Sequence, residues 1–246
     1  CVMFIDVYST MHNEEQLLPY FLRHYEQIAN RIFVWEDQST DRTREILLAH
    51  PKVTLMPIPF HGIDDGVWVE QFWTQYKTIS RPNVDWVMIV DADEFVYTRV
   101  NTRWWLRRMK INKTQLLFCD GWTMMAESFP TTDGQIYSEV KMGVVDRWSC
   151  KWCVFDPKID IGFNRGRHGL PQFDVDKVKA AVDSGFKLLH YRYFGEKYFV
   201  ERQKRNSLRM GLEFDPRRKY AMPDRTRRTP WKWYAENMHK CVQVVG

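Results

Sequence analysis

VMFIDVYSTMHNEEQLLPYFLRHYEQIANRIFVWEDQSTDRTREILLAHPKVTLMPI, residues 2–58, decides the fold class. Val2 to Tyr8 is apolar except for Asp6, as in a strand buried on both faces. A polar stretch, STMHNEE, follows at once. Leu17, Leu18, Phe21, Tyr25 and Ile28 then recur at helical spacing, and Pro19 suits that helix's first turn. The order repeats with Arg31 to Trp35 as strand, EDQSTD as loop and Asp41 to Leu48 as a helix that Ser39 or Thr40 can cap. Val53 to Ile58 reads as a third strand. A strand that enters a helix through a polar loop puts the loop at the carboxyl end of the sheet, where open α/β folds bind ligands.

Outward from this stretch, Val67 to Ile79 reads as a helix and Trp86 to Val90 as a fourth buried strand. Strands alternating with helices in this way predict an α/β fold built on a mostly parallel, Rossmann-like sheet flanked by helices. Beyond Tyr97 the texture changes. Asn101 to Met109 is a short capped helix, Thr114 to Cys119 a strand, and Ser138 to Phe155 a set of extended segments with aromatics. Val175 to Val182 and Lys197 to Met210 are helix candidates, and the end from Asp215 is rich in Pro and Arg and expected to pack loosely. A length of 246 residues with 44% hydrophobic content favours one compact unit over two. It divides into a ligand-binding half over 1–99, a smaller mixed region over 100–195 and a basic helical segment over 196–246.

Five cysteines, at 1, 119, 150, 153 and 241, are an odd number and make no disulfide framework in a chain this long. A reducing compartment, and so the cytoplasm, is the expectation. Cys150 and Cys153 form one CxxC, and a zinc site needs a second pair or spaced histidines that do not follow. No run of 18 apolar residues exists, so no spanning helix or signal peptide is expected within this sequence. The net charge of +5 is uneven: residues 197–233 carry twelve Lys and Arg against four Asp and Glu. That surplus favours contact with an anionic partner, a polyanion or a membrane surface, and is equally the mark of a solvated helix face.

Glycine-built phosphate cradles are missing: the sequence has neither GxGxxG nor GxxxxGK[ST]. A nucleotide ligand would then need its phosphates neutralised by another device, such as Mn²⁺ or Mg²⁺ held by carboxylates. DWVMIVDADEFVY, from Asp85 to Tyr97, offers Asp91-Ala92-Asp93 where a buried strand ends. Extended chain would point both carboxylates the same way. A second such triplet, Asp174-Val175-Asp176, reads instead as acidic residues at a helix N-terminus.

STMHNEEQLLPYFLRHYEQIANRIFVWEDQSTDRTREIL followed by DWVMIVDADEFVY resembles the family 2 type of glycosyltransferase with the GT-A fold, in the branch whose acidic motif reads D-x-D-E-F. The likeness covers Val2 to Tyr97, and FDPK and LLHYRYFGEKYF are similar to later pieces of that branch. It implies transfer of a sugar from a nucleotide-sugar donor, a UDP-sugar by preference, to a glycan, lipid-linked or other hydroxyl acceptor. It also implies roles: Thr10, Asn13 and Glu14 line the nucleotide pocket, and Asp37 bonds the base or ribose. Asp91 and Ala92 lie against the nucleotide, Asp91 shares a divalent cation, and Asp93 is its direct ligand. Similar folds often add a late histidine to the metal. His190 is the candidate and His168 its rival, although a buried, hydrogen-bonded core histidine is the safer reading of His190.

An inverting displacement needs a carboxylate to take the acceptor's proton. Asp120, Glu127 and Asp156 are the candidates in the divergent half, with Asp120 and Asp156 preferred, and Trp122 beside Asp120 could stack on a sugar. A nucleic-acid- or polyanion-binding module on the same fold, with catalysis lost, is the alternative that the basic segment and its Trp231, Trp233 and Tyr234 suggest.

Overall fold

A computed structural model of the chain describes residues 3–58, 73–164, 167, 169–209, 234 and 236–246. Its first half runs β1 (Ile5–Met11), α1 (Leu18–Ile28), β2 (Arg31–Glu36), α2 (Thr43–Ala49), β3 (Val53–Met56), α3 (Tyr76–Ile79) and β4 (Trp86–Ile89). Strands β3, β2, β1 and β4 lie side by side in that order and all parallel. Residues 67–72 of the helix expected over Val67 to Ile79 lie outside the described residues, Trp73 to Gln75 form a turn, and α3 is its last turn.

The apolar runs are continuous because these strands are covered on both faces. Ile5, Val7, Trp86 and Met88 enter the core beneath α1, while Tyr8, Val87 and Ile89 enter the one on the opposite face. Helix α1 adds Leu18, Phe21, Leu22, Tyr25 and Ile28 to the first core, with Pro19 in its first turn. Each such side chain contributes about 1.5–3 kcal/mol on burial. Asp6, the one polar residue in the β1 run, is fully buried and satisfied. Arg31 grips it with two bonds of 2.9 and 2.6 Å, and Ser80 Oγ donates to it at 2.6 Å.

The second half holds β5 (Glu94–Tyr97), α4 (Thr102–Ile111), β6 (Leu116–Ala126), α5 (Ile136–Glu139), β7 (Met142–Val145) and a one-turn 3₁₀ helix, Arg147–Ser149. It continues with β8 (Lys151–Phe155), β9 (Ala180–Phe194), α6 (Gly195–Arg209) and β10 (Val242–Gln243). Strand β8 pairs antiparallel with β4 and β6 antiparallel with β8, and β9 runs parallel to β6 and antiparallel to β5. The α/β class with a parallel Rossmann-like half and a mixed second region is therefore as expected. Among the described residues no helix is long and apolar enough to cross a membrane.

Two local expectations are corrected. Val175 to Val182 is not a helix: the Asp174 carbonyl accepts from Lys177 and Val178 in a turn, and Ala180 and Ala181 already pair with Leu116 and Leu117 in the sheet. Asp174 consequently caps a turn, its Oδ1 accepting the Asp176 amide at 3.2 Å. Helix α2 takes no cap from Ser39 or Thr40, because Asp41 accepts the Thr43 amide at 2.9 Å. The stretch from Asp215 lies largely outside the described residues, although its far end returns to the sheet as β10 on β7.

Candidate active site

Strand β1 has β2 on one side and β4 on the other, both parallel to it, so the chain reverses its winding between β1 and β4. A crevice opens outside the carboxyl ends of strands at such a switch point. The loops that reach it are those after β1, carrying Asn13 and Glu14, and after β4, carrying Asp91 to Glu94.

The loop after β4 is a turn, with the Glu94 amide bonding the Asp91 carbonyl at 3.0 Å. Asp91 and Asp93 are thus not alternate residues of an extended strand, and the expected reason for their pointing alike does not hold. Each instead has its own cations. Arg167 Nη2 lies 2.6 Å from Asp91 Oδ1 and Lys151 Nζ 3.0 Å from Asp91 Oδ2. Lys151 also sits 2.5 Å from Glu94 Oε1, and Glu94 Oε2 accepts the Asp91 amide at 3.0 Å. Asp93 Oδ2 is shared by His190 Nε2 at 2.9 Å and Arg202 Nη1 at 2.5 Å, and Arg202 Nη2 reaches Glu14 Oε1 at 3.0 Å.

Separate elements deliver these groups. Lys151 opens β8, which runs antiparallel to β4 and so starts beside the end of β4. His190 lies on β9, paired with Glu94 of β5 and Thr123 of β6. Arg202 comes from α6, which packs through Tyr198 on Phe129 and Phe194 and through Phe199 on Tyr193. Arg167, in the left-handed region at φ 58°, lays its guanidinium 4.8 Å from the Trp73 ring centre. Gly121 allows the Asp146–Cys150 turn to lie against β6, since a Cβ there would collide with the backbone of Asp146, Ser149 and Cys150.

Charge decides the protonation. Burial works to raise the Asp93 carboxyl, but Arg202 and then His190 outweigh it and hold Asp93 well below the ordinary range. Asp91 is lowered in the same way, by Arg167 and Lys151 against burial. Its side chain is 40% exposed at one edge, so water screens those pairs in part even though the surrounding protein is dense. Glu14 goes the other way: burial pushes it up further than Arg202 pulls it down. Among the described residues Glu14 Oε2, Arg167 Nη1 and Arg202 Nε are buried without a hydrogen-bond partner. Each such group costs about 1–3 kcal/mol until something satisfies it.

His190 joins a further chain. Ser149 Oγ is 2.6 Å from Asp146 Oδ2 and 3.0 Å from His190 Nδ1. The hydroxyl has a single proton, which the Asp146 carboxylate takes, so Nδ1 is the donor to Ser149, and Nε2 faces the carboxylate of Asp93.

A divalent ion on Asp91, Asp93 and His190 does not fit this donor set. Both oxygens of Asp91 already accept from protein cations, Asp93 Oδ2 accepts from two donors, and both nitrogens of His190 are engaged. Among the described residues no three His, Cys, Asp or Glu side chains gather as a metal would require.

The remaining candidates divide. Asn13, at φ 53°, ties the two loops together: its Oδ1 accepts the Thr40 amide at 2.7 Å and its own amide donates to Ser39 Oγ at 3.0 Å. Thr10 closes on Trp35 near the end of β1, and Asp37 is buried at the end of β2, its amide on the Met11 carbonyl. Ala92 is buried inside the turn. Asp156 lies at the other end of β4, past Phe155, which pairs with Val87, and bonds Lys110 Nζ at 2.7 Å. Asp120 pairs with Lys187 and points to the face of β6 opposite Thr123, which pairs with His190. The fold thus gathers Glu14, Asp91, Asp93 and His190 and leaves Asp120 and Asp156 apart from them. Trp122, beside Asp120, has Lys187 Nζ 5.3 Å from its ring centre, and Glu127 is exposed past the end of β6. His168 lies outside the described residues. Cys150 and Cys153 do not act together: Cys150 Sγ accepts the Gly121 amide and Cys153 Sγ lies 3.6 Å from Cys119 Sγ.

Sequence reasoning missed Lys151, Arg167, Arg202, Glu94 and Ser149. Two of them carried a signal, Arg202 as a member of the basic run and Glu94 as the glutamate of the D-x-D-E-F motif.

No family model matches the chain. Uncharacterized proteins of Mycobacterium bovis and Mycobacterium tuberculosis are each 36% identical over 100 residues, covering 37% of this chain and 24% of theirs. The chain thus spans about a quarter of the length of the curated relatives it matches. Similar solved structures include a 4-diphosphocytidyl-2C-methyl-D-erythritol synthase from Anaerococcus prevotii, with TM-score 0.36 and 13% identity over 63% of this chain and 72% of that one. A protein of Bacillus anthracis described as a candidate glucose-1-phosphate thymidylyltransferase, solved with sucrose, has TM-score 0.37 and 12% identity over 87% of this chain and 98% of its own. Likenesses this distant assign no activity.

Proposed function

We propose that this protein is a glycosyltransferase that moves a sugar from a nucleotide-sugar donor, with UDP-sugars the first to test, to a hydroxyl acceptor. One observation carries the reading. The two loops richest in the family-2-like residues, Asn13–Glu14 and Asp91–Glu94, meet through Arg202 at the sheet's switch point. The order NEE, DQSTD and DADEF along the chain supports the same reading through its resemblance to the D-x-D-E-F branch.

In this proposal the nucleotide lies across the ends of β1 and β2, near Thr10 and Asp37, and its diphosphate reaches the turn after β4. The acceptor oxygen attacks the anomeric carbon as the bond to the diphosphate breaks, and the acceptor proton passes to a base, giving inversion. Asp120 and Asp156 are not given the base's role, since neither reaches the cluster. The resemblance implies Mn²⁺ or Mg²⁺, and the assay therefore runs with and without it.

A panel of radiolabelled nucleotide sugars, each with Mn²⁺ and with EDTA, tests the proposal. One donor is expected to be hydrolysed or transferred, and to raise the melting temperature as befits about 3 kcal/mol of stabilisation at hundredfold excess over Kd. A panel in which no donor is bound or consumed in either condition overturns it. Binding of polyanions alone, weakening steeply with salt, would point to the binding-module alternative.

A further inference from the structure

The two clusters around the turn after β4 share one feature that the reading above leaves unused. Arg167 spends Nη2 on Asp91 and holds Nη1 buried and unpaired, and Arg202 spends both terminal nitrogens on Asp93 and Glu14 and holds Nε buried and unpaired. Both residues are at least nine-tenths buried, and Lys151 stands beside them with its ammonium on Asp91 and Glu94. Guanidinium N–H groups kept from water and without an acceptor favour an anion that brings oxygens to them. The carboxylates that a metal would use are occupied by these same cations.

We infer that Arg167, Arg202 and Lys151 bind the donor's diphosphate directly and stand in the place a divalent ion would take. The inference rests on the transferase reading for the identity of the ligand, and its chemistry is that of a pyrophosphate held by charge-assisted N–H···O bonds. Arg167 offers Nη1 without releasing Asp91. Its guanidinium lies over the Trp73 ring, which fixes the plane in which that donor points. Arg202 offers Nε while Nη1 and Nη2 stay on Asp93 and Glu14.

Isothermal titration with inorganic pyrophosphate and with UDP, in EDTA and in Mn²⁺, tests this on the whole chain. Pyrophosphate is expected to bind in EDTA. Arg167→Lys keeps a cation for Asp91 and removes the spare donor, and should weaken that binding about tenfold or more, the worth of one charge-assisted bond. Its melting temperature in the absence of ligand reports whether it has folded. Arg202→Lys, which keeps a charge for Asp93 and removes Nε, is the second variant and should show the same loss. Binding of pyrophosphate and UDP only in Mn²⁺, or full affinity in both folded variants, overturns the inference. The two readings fail separately. Donor turnover that strictly requires Mn²⁺ sinks the inference and leaves a transferase, whereas pyrophosphate binding in EDTA with no nucleotide sugar bound or consumed sustains the anion site and sinks the transferase.

Discussion

Replacing Arg202 with Met removes one guanidinium and strands two carboxylates, and the size of the loss follows from how deeply all three are buried. The side chains of Arg202, Asp93 and Glu14 are 10%, 5% and 8% exposed, so little water is available to replace the lost partner. Breaking a buried pair by deleting one member costs about 3–5 kcal/mol. Two features put this site at the lower end, about 3 kcal/mol. His190 Nε2 still lies 2.9 Å from Asp93, and Glu14, already raised by burial, escapes its charge by taking a proton. Helix α6 keeps its place through Tyr198 and Phe199, so the loss is local and m should not change. Urea denaturation at pH 7, followed by circular dichroism, should show a midpoint lower by about 1.5 M for an m near 2 kcal/mol/M. The deficit should narrow toward pH 5. A group whose folded pKa lies above its unfolded value is more protonated in the native state, and protonated Glu14 needs no cation. Arg42→Met, at a pair exposed by 69% and 66%, is the control and should leave the midpoint in place. A deficit below about 1 kcal/mol, the range of exposed pairs, or one unchanged between pH 7 and 5, would refute the buried clasp.

His24 is held by burial at about 4, against the ordinary 6.5 of a histidine, while its Nε2 donates to the Val96 carbonyl. Its folded pKa is depressed, so its contribution is complete above about 6.5 and is lost as pH falls toward 4, by about 3 kcal/mol in all. His24→Gln should flatten the fall in urea midpoint over that window, and an unchanged slope would assign the acid sensitivity elsewhere. Gly121→Ala should cost about 1–3 kcal/mol and push the Asp146–Cys150 turn off β6, which a calorimetric scan and the histidine NMR signal of His190 would report. Native thiol labelling should modify Cys150 and Cys241 and spare the buried Cys119 and Cys153 until the protein unfolds. Early modification of Cys153 would show that β8 opens locally.

The parallel half was legible because each strand is buried on both faces and so spells an unbroken apolar run. Even Asp6 did not break the reading of β1, and its partners Arg31 and Ser80 explain why it is tolerated there. Where packing overrides local preference, the sequence misleads. Ala180 and Ala181 favour a helix by propensity and lie in β9, because pairing with Leu116 and Leu117 completes the sheet. The cap of α2 was displaced for a related reason. Ser39 and the Thr40 amide are both bonded to Asn13, which leaves Asp41 to cap the helix. The cations of the site, Arg202 in the basic run apart, had no local signature. Lys151, Arg167 and Arg202 lie 60, 76 and 109 residues from the aspartates they meet, and only the fold brings them there.

The spacing of Asp91 and Asp93 says less than the turn that carries them. In extended chain, residues two apart would share a face and repel until one cation bridged them. In a turn closed by the Glu94 amide they separate, and each acquires a cation from a different element. Asp174 and Asp176 have the same spelling and also sit in a turn, yet they stay at the surface, where Asp174 pairs with Lys177 of its own turn. What distinguishes the first pair is the burial of Asp93 and of the Arg167, Lys151 and Arg202 side chains that meet the two aspartates, since charges taken out of water have to be paired. Those three face the four carboxylates Glu14, Asp91, Asp93 and Glu94, so the cluster carries no large field of either sign. An anion entering it is drawn less by net charge than by N–H donors already fixed in direction, and selection by direction is what distinguishes a diphosphate from the many other anions that a basic chain could attract.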